Sequence, residues 1–222
     1  MYGEKPEDIM YYLTVYNEPY VQPAEPEDVD AEGIVKGMYL LRPGSFEGIG
    51  QDARRAQILA SGVGVPWALE AQQLLKKDYG VVADVWSVTS WGELRRDGLA
   101  HDKAKFNDPF GEHAPTWVES KLAGTQGPIV AVSDYMHAVP DLIRPWVPRE
   151  YTTLGADGFG FSDTRAAARR YYNIDGPSIA VAVLQQLAYK GEIPREWPVE
   201  AAERYRLDDV SAGTSGKTGD DE

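Results

Sequence analysis

Four short strand-like runs separated by helix-length segments leave this chain little choice of fold. Ala56–Ala60, Val81–Val88, Ile129–Ser133 and Tyr151–Leu154 are rich in aliphatic and β-branched residues, and each has a strand's length. Ile129–Ser133 is almost purely apolar, as a strand covered on both faces must be. Between the runs the period changes. After Ser61-Gly62-Val63-Gly64, Pro66 opens a helix where its missing N–H costs little. Val65, Ala68, Leu69, Ala71, Gln72, Leu75 and Tyr79 form its apolar stripe, and Gly80 ends it. Ser178–Tyr189 carries Ile179, Val183, Leu184 and Leu187 on one stripe and stops at Gly191. Thr164–Tyr171 is a further helix. Alternating strands and helices predict an α/β domain of three layers, its sheet mainly parallel, with helices on both faces. Met38–Leu41 adds a strand at the edge.

Composition narrows the function classes. The chain has 222 residues, no cysteine and a net charge of −13. Disulfides, thiolate metal sites and cysteine nucleophiles are therefore excluded, and a reducing cytoplasm is the expected setting. The acidity is an end effect. Residues 1–32 hold nine acids against Lys5, residues 208–222 hold five against Lys217, and the 175 residues between them carry one net negative charge. Neither part has the basic stripe a nucleic-acid partner needs. No apolar stretch is long enough to span a membrane. Met1–Met10 contains Glu4, Glu7 and Asp8 without an apolar run, so a secretory leader is not expected.

The ends read differently from the middle. Ile9–Tyr16 is aromatic and β-branched and reads as a strand. It runs into Asn17–Pro26, where Pro19, Pro23 and Pro26 favour an extended linker. Asp208–Glu222 has almost no apolar residue after Val210 and is expected to be disordered. Residues 1–32 are thus a strand with a proline-rich acidic linker, 33–207 the α/β domain, and 208–222 a tail.

Motifs for self-contained chemistry are missing. Gly62-Val63-Gly64 sits at a strand–helix junction, where amides attract anions, but Trp67 stands where a dinucleotide fingerprint needs its third glycine. A tight turn is the better reading. His101, His113 and His137 have no metal-ligand spacing. There is no Gly-x-Ser-x-Gly elbow. Gly213–Thr218 resembles a phosphate loop only by chance, since no strand precedes it. Two places stand out. Ser133-Asp134-Tyr135-Met136-His137 lies at the end of a strand, where open α/β sheets build sites. Leu154–Arg165 packs Gly155, Gly158 and Gly160 around Asp157, Phe159 and Phe161, and offers Ser162 or Asp163 as a helix cap. It is either a capped strand-to-helix connection or a loop that packs on another subunit or domain. Asp134, His137, Asp157, Phe159 and Ser162 are the candidate interface or ligand-proximal residues. No catalytic, cofactor-binding or metal residue is assigned.

Longer strings carry a resemblance. Tyr11–Glu18, Glu32–Tyr39, Lys77–Val81, Asp84–Trp91, Glu93-Leu94, Arg96-Asp97-Gly98, Ser133–Met136 and Leu154–Arg165 together resemble the C-terminal domain of the homodimeric bacterial pyruvate dehydrogenase, nearly throughout as far as Leu207. The resemblance implies a transketolase C-terminal fold, a largely parallel sheet with one antiparallel edge strand. It implies an enzyme that uses thiamine diphosphate and magnesium, decarboxylates pyruvate and acetylates the lipoyl group of a dihydrolipoyl acetyltransferase. The implied partners are the remaining domains and a second subunit, with no nucleic acid or membrane. The family's Gly-Asp-Gly thiamine motif is absent: Ala156 precedes Asp157-Gly158, and no Asn-Asn pair occurs. The chain is therefore expected to be a piece of a longer enzyme, inactive alone and supporting its dimer. Two alternatives are a stand-alone oligomerisation or docking module, favoured by six Trp and thirteen Tyr, and part of a transketolase-type enzyme.

Overall fold

The computed structural model describes residues 21–213 together with 4, 6, 8, 10, 12, 13 and 15. Five strands form one sheet: β1 (Met38–Arg42), β2 (Arg55–Ala60), β3 (Val82–Val88), β4 (Ile129–Val132) and β5 (Tyr151–Leu154), in the order β1-β3-β2-β4-β5. β1 runs antiparallel to β3, and the other pairings are parallel. The expected mainly parallel sheet with one antiparallel edge strand is what forms. Connections run outward in opposite directions from β2 and β4, so the crevice at their C-terminal ends is the sheet's topological switch point.

Side chains alternate between two cores. Ile58, Ala60, Val130, Val132, Ala83 and Val85 face one side. There they meet α2 (Gly64–Tyr79) and α6 (Gly176–Tyr189), and α7 (Glu196–Arg204) packs on α6. Leu59, Ile129, Ala131, Trp86 and Val88 face the other side. Here they meet α3 (Trp91–Asn107), α4 (Trp117–Leu122) and a 3-10 turn, Pro140–Trp146. α6 buries most of its length, as a helix sandwiched between sheet and a further helix does. Asp175 caps it by accepting from Ser178 N, with Pro177 in its first turn. Gly80 ends α2 in the left-handed region at φ 62°.

α3 was not foreseen from its pattern. Ser90 caps it by accepting from Glu93 N at 3.1 Å. Gly98 lets it approach the 3-10 turn so closely that a Cβ there would lie 2.3 Å from the Trp146 ring. Two polar groups tie elements together from inside. Gln57 and Asp84 are register partners in β2 and β3. Gln57 Nε2 donates to Asp84 Oδ2 (2.9 Å), Trp86 Nε1 to Gln57 Oε1 (2.8 Å), and Gly44 N to Asp84 Oδ1 (2.7 Å). Arg170, from α5 (Arg165–Tyr171), pairs through Nε with Asp175 Oδ2 at 2.7 Å, both side chains fully buried. Its Nη1 donates to the carbonyls of Tyr205 and Arg206.

The chain ends differ in part from expectation. The strand expected at Ile9–Tyr16 falls outside the described residues, except for Met10, Tyr12, Leu13 and Val15, which are exposed. The 1–32 segment includes the start of a short helix, α1 (Ala31–Lys36), capped by Asp30. The tail expected to be disordered is ordered as far as Gly213. Val210–Ala212 forms a 3-10 turn against α5, and Asp209 caps it. Residues 214–222 lie outside the described residues.

Candidate functional site

Two loops meet at the C-terminal ends of β4 and β5. Ser133 closes the first strand, and its Oγ accepts from Tyr135 N (3.1 Å) and lies 3.2 Å from Ser61 Oγ at the end of β2. Ala156 N donates to Tyr135 O at 2.8 Å. A Cβ on Gly155 would lie 2.6 Å from His137 N and 2.8 Å from Tyr135 O, so only glycine permits this approach. The contact then places Asp157 on His137. The carboxylate accepts from His137 N (2.9 Å) through Oδ1 and pairs with His137 Nδ1 (2.7 Å) through Oδ2. The hydrogen bond from the His137 backbone holds the Asp157 carboxyl below the ordinary carboxylate range, and the imidazole adds to that.

Both partners of this pair are substantially exposed, so it adds little stability. Among the described residues, the ring's hydrogen-bond partner is Asp157 alone. The arrangement fastens one loop to the other. Past Asp157, Gly158 and Gly160 adopt φ of 116° and 109°. The left-handed backbone turns Phe159 fully into solvent. Phe161 turns back and stacks on Tyr171, with centroids 4.4 Å apart and planes 7° from parallel. Tyr135 and Met136 are half-exposed beside the same loop.

The remaining expected residues separate. Ser162 is exposed and is not the helix cap, and neither is Asp163. Thr164 caps α5, its Oγ1 accepting from Ala167 N at 3.2 Å. Thr164 has the extended conformation a cap requires. Asp163 Oδ1 instead accepts from Thr164 N. Asp134 is more deeply placed than Tyr135 and Met136. Burial pushes its carboxyl up, and its Oδ1 has no hydrogen-bond partner. Arg169 contributes an opposing charge and lies over the Trp67 ring at 4.0 Å. His101 and His113 contact each other edge to face at 6.2 Å. Among the described residues no three histidines or acids converge to hold a metal ion.

Sequence reasoning missed a crevice. A cavity of 810 Å³ opens where β1 and the C-terminal ends of β2 and β3 meet the loop after β4. Tyr12, Tyr39, Trp91 and Tyr135 are its aromatic walls, and Gln22 and Pro23 also line it. The switch in strand order was the signal that could have found it.

Comparison with known proteins agrees with this geometry. Residues 37–175 match the model of the transketolase-like TK C-terminal domain. The chain is 58% identical over 212 residues to the pyruvate dehydrogenase E1 component of Mycolicibacterium smegmatis, and 54% identical over 218 residues to that of Mycobacterium tuberculosis. These alignments cover 96% and 98% of the chain but only 22% and 23% of the relatives. The chain thus spans less than a quarter of the length of the curated relatives it matches. A crystal structure of Pichia stipitis transketolase superposes with a TM-score of 0.50 over 76% of this chain and 20% of that one, at 24% identity. That likeness concerns the fold.

Proposed function

The chain belongs to the transketolase-like C-terminal domain family, and from this we propose that it serves as the C-terminal α/β domain of a pyruvate dehydrogenase E1 component. What carries the reading is identity of 54–58% along almost the whole chain with E1 components of two mycobacteria. In this role the domain supports an enzyme that decarboxylates pyruvate and passes the acetyl unit to a lipoyl group. The acceptor is the dihydrolipoyl acetyltransferase component, and the working form is a homodimer in the cytoplasm.

Thiamine diphosphate and magnesium would be held by the remaining domains of the enzyme. No acidic or histidine cluster converges among the described residues, and the cofactor motif is absent from the sequence. No step through the cofactor is derived on this chain. Its own contribution is positional. The Gly155–Phe161 loop, fastened by Asp157 and His137, presents Phe159 with Tyr135 and Met136 as an apolar surface for the rest of the enzyme. The alternative transketolase assignment has support only at the level of fold.

A hybrid tests the reading. This chain would replace the matching segment of the Mycolicibacterium smegmatis E1 component, and pyruvate-dependent acetylation of a lipoyl domain would be measured. Turnover close to the parent's is expected; a folded hybrid dimer without turnover would overturn the assignment. Calorimetry of the chain alone with thiamine diphosphate and magnesium should give no binding heat. Micromolar affinity there would refute the positional role.

A further inference from the structure

We propose that the crevice across the C-terminal ends of β2 and β3 is a binding site for an uncharged purine nucleoside, held by stacking of the base and by hydroxyl contacts. It lies where open α/β sheets hold small ligands, outside the carboxyl ends of the strands and beside the switch in strand order. Both helical layers contribute walls: Gly62 and Val65 at the turn into α2, Trp91 and Gly92 at the start of α3. At 810 Å³ it has the size of a small-molecule pocket. It belongs to this domain, whichever enzyme carries it.

The walls decide the chemistry. None of the side chains lining the crevice carries a formal charge, and the chain as a whole carries −13. A phosphate-rich ligand would meet no cation there and a repulsive field around it. A purely apolar ligand fits no better, because it would cover hydroxyls without pairing them. Some of those hydroxyls are engaged: Thr89 Oγ1 donates to Ile34 O, Ser90 Oγ caps α3, and Ser61 Oγ bonds to Ser133 Oγ. Others are not. Ser87 Oγ and the phenol hydroxyls of Tyr39 and Tyr135 have no hydrogen-bond partner among the described residues. Each can donate or accept, as the edge of a purine and the hydroxyls of a ribose require. Trp91 adds a fixed donor. It is only 6% exposed, and its indole N–H has no acceptor. A buried donor without a partner is rare in a fold, and a ring nitrogen or carbonyl of the base would satisfy it.

Stacking supplies the rest. Tyr39 and Tyr135 are not fully covered and line the crevice, and a nucleobase stacks on such rings without any help from charge. Gln22 and Pro23 line the same space, so a bound nucleoside would touch the chain entering the domain as well as the end of the sheet.

The test is equilibrium dialysis of the full chain with adenosine and with inosine, with adenosine monophosphate and ribose for comparison. Either nucleoside should bind with a dissociation constant between about 10 μM and about 1 mM, unchanged between about 0.05 M and about 0.5 M sodium chloride. W91F removes the indole N–H and keeps an aromatic ring, and S87A removes a hydroxyl. Each should weaken binding roughly fivefold, and the urea midpoint of S87A should match the parent's. Absence of binding by both nucleosides up to about 5 mM would overturn the proposal. So would tighter binding of the monophosphate that fades in salt, as at an anion site, equal binding of ribose, or unchanged affinity in S87A and W91F.

Discussion

Replacing Asp175 with alanine removes one carboxylate that performs two tasks. Its Oδ2 neutralises Arg170, whose side chain is fully buried. Its Oδ1 accepts from Ser178 N and Ser178 Oγ at the start of α6. Without it, the guanidinium keeps only the carbonyls of Tyr205 and Arg206, which supply dipoles but no charge. Leaving one member of a buried ion pair uncompensated costs about 3–5 kcal/mol, and losing a helix cap adds about 1 kcal/mol. A loss of about 4–6 kcal/mol is a large part of the roughly 5–15 kcal/mol that keeps a domain folded. With a urea slope of about 2 kcal/mol per molar, the midpoint should fall by about 2 M or more. R170M should cost less than D175A, because Asp175 then retains both donors from Ser178. The double variant R170M/D175A should be less destabilised than the sum of its singles, with a coupling of at least about 1 kcal/mol. The reasoning is refuted if D175A shifts the midpoint by under about 0.5 M, or if the two single effects simply add.

Further outcomes are expected elsewhere. G98A drives a Cβ into the Trp146 ring, so it should cost about 1–3 kcal/mol and shift Trp fluorescence; an unchanged melting curve would contradict the packing. D134N should stabilise the chain at neutral pH, since burial raises that carboxyl and its Oδ1 lacks a partner; urea titrations showing a loss would count against this. Asp157 titrates below its ordinary value in the fold, so the pairing with His137 holds at and above the unfolded carboxyl value of about 4 and is lost as pH falls through the depressed one. Amide exchange at His137 should therefore lose protection only in that acid window, and loss near pH 6 would argue against the contact. In the hybrid enzyme F159S should weaken assembly while leaving the isolated domain's melting curve unchanged, and a lowered melting temperature would place Phe159 in the domain's own core.

The strands were legible because burial on both faces leaves a near-pure apolar run, and each observed strand falls within a residue or so of its run. α3 was not, for a physical reason. Only Trp91, Leu94 and Gly98 are buried along its 17 residues, so no stripe emerges, and Gly98 looks like a breaker when it is a notch for Trp146. α7 likewise buries little beyond Pro198 and Ala201. The Gly155–Phe161 loop could be singled out by its glycines, but its fastening could not. His137 and Asp157 lie 20 residues apart and meet only because β4 and β5 are neighbours. The cap of α5 was misplaced by one or two residues because Ser162, Asp163 and Thr164 all have the right chemistry, and backbone conformation chooses among them.

The Gln57–Asp84 contact bears on how the sheet assembles. Parallel strands must find partners far away in sequence, which makes such sheets slow to form and open to mispairing. Sliding β2 along β3 by one residue would set Asp84 against Ala56 or Ile58 instead of Gln57, part the buried Gln57 amide from the Asp84 carboxylate and disturb the Arg55 pairing beside it. Slipped intermediates are therefore penalised as they collapse, before the helices seal either face. A Q57L chain should keep the native fold yet refold along more than one route, populating traps that the wild-type sequence rejects.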